Sequence, residues 1–165
     1  MKQEQLLIFL RKAKKKTFAS KISIPKRTKE GGKEYSYQEG EFLYRDKYFG
    51  STVDTGQELV FHKGNLIWSM SYRGGMLVGN EDLSKRCFSF LKKCLRNPPK
   101  DFPVRGKQDY EEGLFRYENS WNGDFIDFVG EEKIFLKGKQ IYFRNYLGGM
   151  GILRDIERVE SKKNK

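Results

Sequence analysis

The feature that most constrains this chain is that part of it is written twice. Residues 56–77 read GQELVFHKGNLIWSMSYRGGML, and residues 130–151 read GEEKIFLKGKQIYFRNYLGGMG. At one constant offset Gly56 matches Gly130, Glu58 matches Glu132, Phe61 matches Phe135 and Lys63 matches Lys137. The series continues with Gly64 and Gly138, Ile67 and Ile141, Tyr72 and Tyr146, the glycine pairs at 74–75 and 148–149, and Met76 with Met150. After a one-residue slip it extends upstream, pairing Gly40, Phe42, Tyr44, Gly50 and Asp54 with Gly113, Phe115, Tyr117, Gly123 and Asp127. Units of about forty residues that occur only twice are not solenoid turns. They point to two related halves about an internal pseudo-two-fold axis.

Within each unit the side chains alternate as they do in strands. Residues 41–49 set Phe42 and Tyr44 against Leu43 and Arg45, and residues 57–62 and 66–72 read as two further strands. Lys63-Gly64-Asn65 supplies the tight turn between the last two, with a glycine suited to positive φ. On the third strand Leu66, Trp68, Met70 and Tyr72 share a face. The second meander follows at 115–118, 132–137 and 140–146. Gly74-Gly75 ends the first copy where the chain must turn or where another group must approach closely.

Two segments carry helical spacing instead. Leu6, Leu7, Phe9, Leu10 and Ala13 lie on one side of residues 3–16, with Lys14, Lys15 and Lys16 closing the last turn as a solvated, dipole-complementing end. Leu83, Cys87, Phe90, Leu91 and Cys94 form a face over 82–96, with Asn80 as its cap and Pro98-Pro99 as its stop. Residues 20–24 read as a short extended piece within a long connection over 17–39, and 100–113 as a connecting loop. The order is helix, three strands, helix, three strands. The expected fold class is α+β: two αβββ repeats, about 3–79 and 80–151, in one domain over 1–165, with a basic tail at 161–165. The antiparallel sheet, curled toward a half-barrel, should carry both helices on one side and a cleft on the other.

Net charge of +11 raises the question of nucleic acid, and its distribution answers against a basic body. Residues 1–33 hold a net +9 and residues 161–165 a net +3, which leaves residues 34–160 at −1. Aromatic residues supply 15% of the chain, which favours sheet. Cys87 and Cys94 fall on one helix face about 10 Å apart along the axis, too far for a disulfide. They read as reduced packing residues of a cytoplasmic protein. With His62 as the only histidine, no metal site and no cofactor is expected. The apolar run Leu6 to Leu10 is too short for a signal peptide or a membrane span.

Glu58 and Glu132 are the sharpest chemical candidates. Each has an apolar same-face neighbour, Val60 or Ile134, that would raise a carboxyl pKa. Tyr44, Tyr48, Trp68, Tyr72 and Trp121 could wall a planar ligand, with Arg73 or Arg144 to pair an anion. The glycine pairs lack phosphate-loop spacing, and His62 has no nucleophile in a recognisable pattern. Asp54 and Asp127 read as residues that hydrogen-bond their own turns.

The strings TFAS at 17–20, YSYQEG at 35–40, YRDKYFG at 44–50, TGQELVFHKGNLIWSMSYRGG at 55–75 and EEKIFLKGKQIYFRNYLGG at 131–149 resemble the domain-of-unknown-function family numbered 5680. The resemblance implies a bacterial-type domain that stands alone or follows a helix-turn-helix module, hence a sensor or effector-binding role beside a transcription regulator. Here no second helix follows the first closely enough to complete such a module. The family supplies no catalytic residues.

The reading that results is a cytosolic binding or sensor module without catalytic or metal-ligating residues. A small molecule or peptide would bind between the repeats at Tyr44, Tyr48, Glu58, Trp68, Tyr72, Glu132 and Arg144. Two rival readings are an enzyme using Glu58 and Glu132 as acid and base, and a nucleic-acid adaptor acting through its basic ends. No membrane partner is expected, and the sequence leaves the oligomeric state open.

Overall fold

A computed structural model describes residues 3–20 and 22–151; the basic tail expected at 161–165 lies outside the described residues. Its elements in chain order are α1 (Gln3–Lys16), β1 (Lys26–Arg27), β2 (Lys33–Glu39), β3 (Phe42–Gly50), β4 (Val53–His62) and β5 (Asn65–Met76). Then come α2 (Glu81–Leu95), β6 (Asp109–Glu112), β7 (Phe115–Gly123), β8 (Asp127–Leu136) and β9 (Lys139–Met150). The nine strands form one antiparallel sheet in the order β1-β2-β3-β4-β5-β9-β8-β7-β6. The sheet is open at β1 and β6 and does not close into a barrel. The edges are short, and both residues of β1 and all four of β6 are exposed and mostly charged, which discourages pairing with another chain.

Both helices cover one face. On α1, Leu6, Phe9, Leu10 and Ala13 pack with Tyr44, Val60, Trp68 and Met70. On α2, Cys87, Phe90, Leu91 and Cys94 pack with Tyr117, Ile134 and Tyr142. Asn80 caps α2 as its sequence position requires, its side-chain oxygen accepting from the Leu83 N–H at 2.9 Å. Cys87 and Cys94 are buried free thiols. The opposite face of the sheet, with Arg73, Val129 and Leu147, is open.

Two connections prove to contain strands. The 17–39 segment includes β2, which pairs with β3 from Lys33–Tyr48 to Glu39–Phe42; residues 22–24 form no strand. The 100–113 segment includes β6, paired with β7. Each half of the sheet is therefore wider than a three-stranded meander. All four residues of β6 are exposed, so no apolar face marks it, and in β2 only Tyr35 and Tyr37 alternate inward among charged and polar residues.

The pairing registers of the two halves run in parallel. Tyr44 faces Val60 as Tyr117 faces Ile134, and both hairpins slip register just after that pair. The slip turns Ile67 and Ile141 inward and leaves Leu66 exposed, contrary to a simple alternation. Where β5 meets β9, Tyr72 lies opposite Tyr146, Met70 opposite Gly148 and Gly74 opposite Arg144. The glycine pairs are not turns: both strands run through them. A Cβ on Gly74 would lie 2.2 Å from the Phe143 carbonyl oxygen, and one on Gly148 would lie 2.2 Å from that of Ser69. Close strand contact is what these glycines permit.

Asp54 and Asp127 do not correspond. Asp54 pairs with Gly74, whereas Phe128 pairs with Gly148. The extra residue lies in the second turn, between Gly123 and Asp127, where buried Phe125 stacks on Trp68 at 5.6 Å and 10°.

Candidate functional site

The site grows from three strands that place two acids and a tyrosine on the covered face. Asp46 on β3 lies opposite Glu58 on β4, and Tyr72 on β5 reaches across β4 to donate a 2.7 Å hydrogen bond to Asp46 Oδ1. That reach needs Gly56. It sits opposite Tyr72, and a Cβ there would lie 2.6 Å from the tyrosine oxygen. The second half repeats the device: Tyr146 crosses Gly130 and donates at 2.7 Å to Asn119 Oδ1.

Three cations enter this acidic floor. Lys14 of α1 is buried, with Nζ 2.6 Å from Glu58 Oε2, and it also donates to the Val104 carbonyl. It is not a solvated helix end. Arg105, from the connection between α2 and β6, grips Glu132 with two nitrogens, the Nε contact being 3.0 Å, and places Nη1 3.8 Å from Glu58. Arg144 of β9 donates from Nη2 to Asp54 Oδ1 at 2.5 Å, and its guanidinium lies 4.5 Å from the Tyr72 ring centre. Asp54 thus serves an ion pair rather than its own turn. The repeated acids meet through one guanidinium, not directly.

Electrostatics divide the acids. Burial works to raise the Glu132 carboxyl, but Arg105 and Arg144 outweigh it, and hydrogen bonds from Arg105 and Tyr117 act the same way. The group is held below the usual carboxylate range, contrary to the expectation from its apolar neighbour. Asp46 behaves in the opposite sense. Burial first, then the negative charge of Glu58, push it up to about 7, against the hydrogen bond from Tyr72 and the charges of Lys14 and Arg144. Burial lowers Lys14 despite Glu58, and pushes the Tyr44 and Tyr72 hydroxyls well above their usual range. Those hydroxyls are donors at every physiological pH.

These groups surround a small, partly open cavity of about 30 Å³, lined among others by Lys14, Tyr44, Asp46, Tyr48, Asp54, Glu58, Tyr72, Arg105 and Arg144. An open groove of about 1260 Å³ adjoins it and shares Phe18, Tyr48 and Asp54 as walls. The groove runs along α2 past Ser84, Phe88, Lys92 and Arg96 and past the β3–β4 turn at Gly50–Thr52. Both spaces lie on the helix side of the sheet, not on its far side.

Of the residues singled out from sequence, Tyr44, Tyr48, Glu58, Tyr72 and Arg144 line the cavity. Glu132 lies behind it, fully buried, and accepts from Arg105, Tyr117 and Tyr142. Trp68 is elsewhere: it is 0% exposed and sandwiched with Phe125 and Phe128 as core. Trp121 stacks on Phe102 at 4.4 Å, and Arg73 is on the open face. Sequence reading missed Lys14, Asp46 and Arg105. Asp46 was accessible in principle, because it alternates with Tyr44 on an inward face. Arg105, in a connection, carried no signal.

Comparison with family models finds a match to residues 46–151 by a family described as a domain of unknown function, DUF5680. The match covers more than half of the chain. The chain belongs to the DUF5680 family. No curated protein and no solved structure matches it. The DUF5680 segment begins at Asp46 and includes Asp54, Glu58, Tyr72, Arg105, Glu132 and Arg144. Lys14 and Phe18 reach the site from outside it. Among the described residues no cluster suited to a metal occurs, and no helix is long and apolar enough to cross a membrane.

Proposed function

We propose that this DUF5680 domain is a cytoplasmic binding or sensor module that takes a small molecule in the groove along α2, with one end in the charged cavity. The observation that carries the reading is a cavity walled by buried charges beside an open, mostly polar groove with Phe18, Tyr48 and Phe88 in its wall, the two sharing Phe18, Tyr48 and Asp54. The Nε of Arg144, a cavity residue, is buried without a hydrogen-bond acceptor and lies 3.9 Å from Glu132 Oε1. Pockets of this kind, concave with a few convergent polar groups, are the usual small-molecule sites. A small molecule is favoured over an extended peptide because the buried charged groups are gathered in the small cavity at one end of the groove.

The parallel registers of β3-β4-β5 and β7-β8-β9, and the mirror pairing about Tyr72 and Tyr146, support two halves related by a pseudo-two-fold axis between β5 and β9. On this reading the first half kept the site and the second became its support: Asn119 replaces Asp46, and Gly106 and Arg105 fill the corresponding space. An enzyme working through Glu58 and Glu132 is less well supported, because Glu132 is held ionised by Arg105 and both acids are paired with cations. Association with a transcription regulator would give the bound state an output.

The test is a thermal-shift screen of the full chain against nucleotides, amino acids, sugars and aromatic metabolites, repeated with Tyr48→Ala. Stabilisation by several degrees that disappears in the variant supports the module and names its ligand class. Absence of any shift, or a shift untouched by the variant, rejects it.

A further inference from the structure

Each cation of the buried network is matched to an acid, and one acid is left over. Lys14 pairs with Glu58, Arg105 with Glu132 and Arg144 with Asp54. Asp46 is 5% exposed, lines the cavity, and has no ion-pair partner among the described residues. Its hydrogen bond comes from a neutral donor, the Tyr72 hydroxyl. A buried carboxylate without a cation is costly and is ordinarily avoided.

The second half shows that the fold does not require this charge. Asn119 holds the corresponding place on β7, receives the corresponding 2.7 Å bond from Tyr146, and spends its amide nitrogen on the Gly106 carbonyl at 2.9 Å. An amide anchors the tyrosine as well as a carboxylate does. At Asp46 no loop carbonyl fills the remaining space; the cavity does. The acid is therefore kept for something other than holding Tyr72.

We propose that Asp46 is the receptor for a primary ammonium group of the ligand, which enters the cavity and supplies the missing positive charge. This rests on the reading of the groove and cavity as a ligand site. Size limits the group. A cavity of about 30 Å³ holds roughly two water-sized units, enough for a terminal CH₂–NH₃⁺ but not for a quaternary ammonium. The surroundings suit a cation as well, with Tyr44, Tyr48 and Tyr72 in the wall to offer ring faces and hydroxyl oxygens. Lys14 and Arg144 act on Asp46 from a distance, but they and Arg105 are each engaged by a carboxylate of their own, which leaves the network one acid in excess. Binding converts Asp46 fully to its ionised form, so the affinity for an ammonium rises with pH until Asp46 is ionised without it.

The experiment is an NMR titration of the full chain, with ¹³C-labelled aspartate carboxyls and ¹⁵N amides, using n-butylammonium, n-butanol and tetramethylammonium as probes. The proposal expects n-butylammonium to shift the Asp46 carboxyl and lower its titration midpoint, with n-butanol and tetramethylammonium binding at least tenfold more weakly. Asp46→Asn should fold, as Asn119 does in the second half, and should bind n-butylammonium at least tenfold more weakly than wild type. Equal binding of n-butanol, an unmoved Asp46 signal, or an Asp46→Asn affinity within twofold of wild type overturns it. Amides of Phe88 and Ser89 report on the groove separately. If they move with n-butanol while Asp46 ignores the amine, the ammonium site falls and the groove reading stands. If Asp46 responds and they do not respond to any probe or metabolite, the ammonium site stands and the groove reading falls.

Discussion

Lys14 Nζ on α1 and Glu58 Oε2 on β4 lie 2.6 Å apart inside the molecule, so the first helix is tied to the sheet by charge as well as by its apolar face. Removing Lys14 leaves Glu58 buried with only the longer contact to Arg105 Nη1 at 3.8 Å. Lys14→Met should destabilise the fold by about 3–5 kcal/mol, whereas Lys14→Met with Glu58→Leu should recover most of that loss. Urea unfolding of the two variants checks this. Equal stability of Lys14→Met and wild type would show that the pair contributes nothing.

Asp46 should make stability fall as pH rises through the mildly acidic range. Its folded value of about 7 lies above the ordinary carboxylate value, so between roughly pH 4 and pH 7 the folded state binds more protons than the unfolded state. The stability associated with its protonated form is complete below the unfolded value and is lost as pH rises through 7. The groups that face it are Glu58 on β4, Tyr72 on β5, Arg144 on β9, Lys14 on α1, Tyr35 on β2 and Tyr44 and Tyr48 on β3. Glu132, held low, acts in the opposite sense, its contribution being lost as pH falls. Comparison with Asp46→Asn isolates the first effect. The melting-temperature advantage of Asp46→Asn over wild type should grow between pH 4 and pH 7 and level off above.

Glycine at position 56 is needed by a tyrosine on the next strand. Gly56→Ala places a methyl 2.6 Å from both the Tyr72 oxygen and the Lys47 carbonyl oxygen. Overpacking of this kind costs about 1–3 kcal/mol. Tyr72 should also leave Asp46, which the carboxyl shift of Asp46 would register. An unchanged shift would show that Tyr72 and the strand adjust together.

Phe125 belongs to the second turn, which is one residue longer than the first, and it lies flat on Trp68. Phe125→Ala should cost about 3–5 kcal/mol and alter Trp68 fluorescence, while leaving Tyr48 and the groove in place. A loss below 1 kcal/mol would mean that the surrounding core collapses onto the gap.

Much of the fold was legible in the residues. The cap at Asn80, the two helices and the alternation of Trp68, Met70 and Tyr72 all follow from local spacing, which needs no distant partner. The register slips at Ile67 and Ile141 were not legible, since a bulge breaks the very alternation used to read a strand. Of the site, Tyr44, Tyr48, Glu58, Tyr72 and Arg144 were found because they are aromatic or charged residues on an inward strand face. Trp68 answers the same description and is core, because what separates a wall from a core is whether another side chain covers it. Here Phe125 does.

The sequence by itself determined the repeated strands, their faces and their glycines, because side-chain alternation and backbone freedom are properties of a few consecutive residues. Only the tertiary structure decided which acids have a cation beside them. Glu58 and Glu132 look alike in sequence, as do Asp46 and Asp54. Their differences come from Lys14 on a helix, Arg105 in a connection and Arg144 on a strand of the other half, brought within ion-pair distance of three of them and not of the fourth. Electrostatic energy depends on separation in space and on burial, and neither is written in the order of residues along the chain.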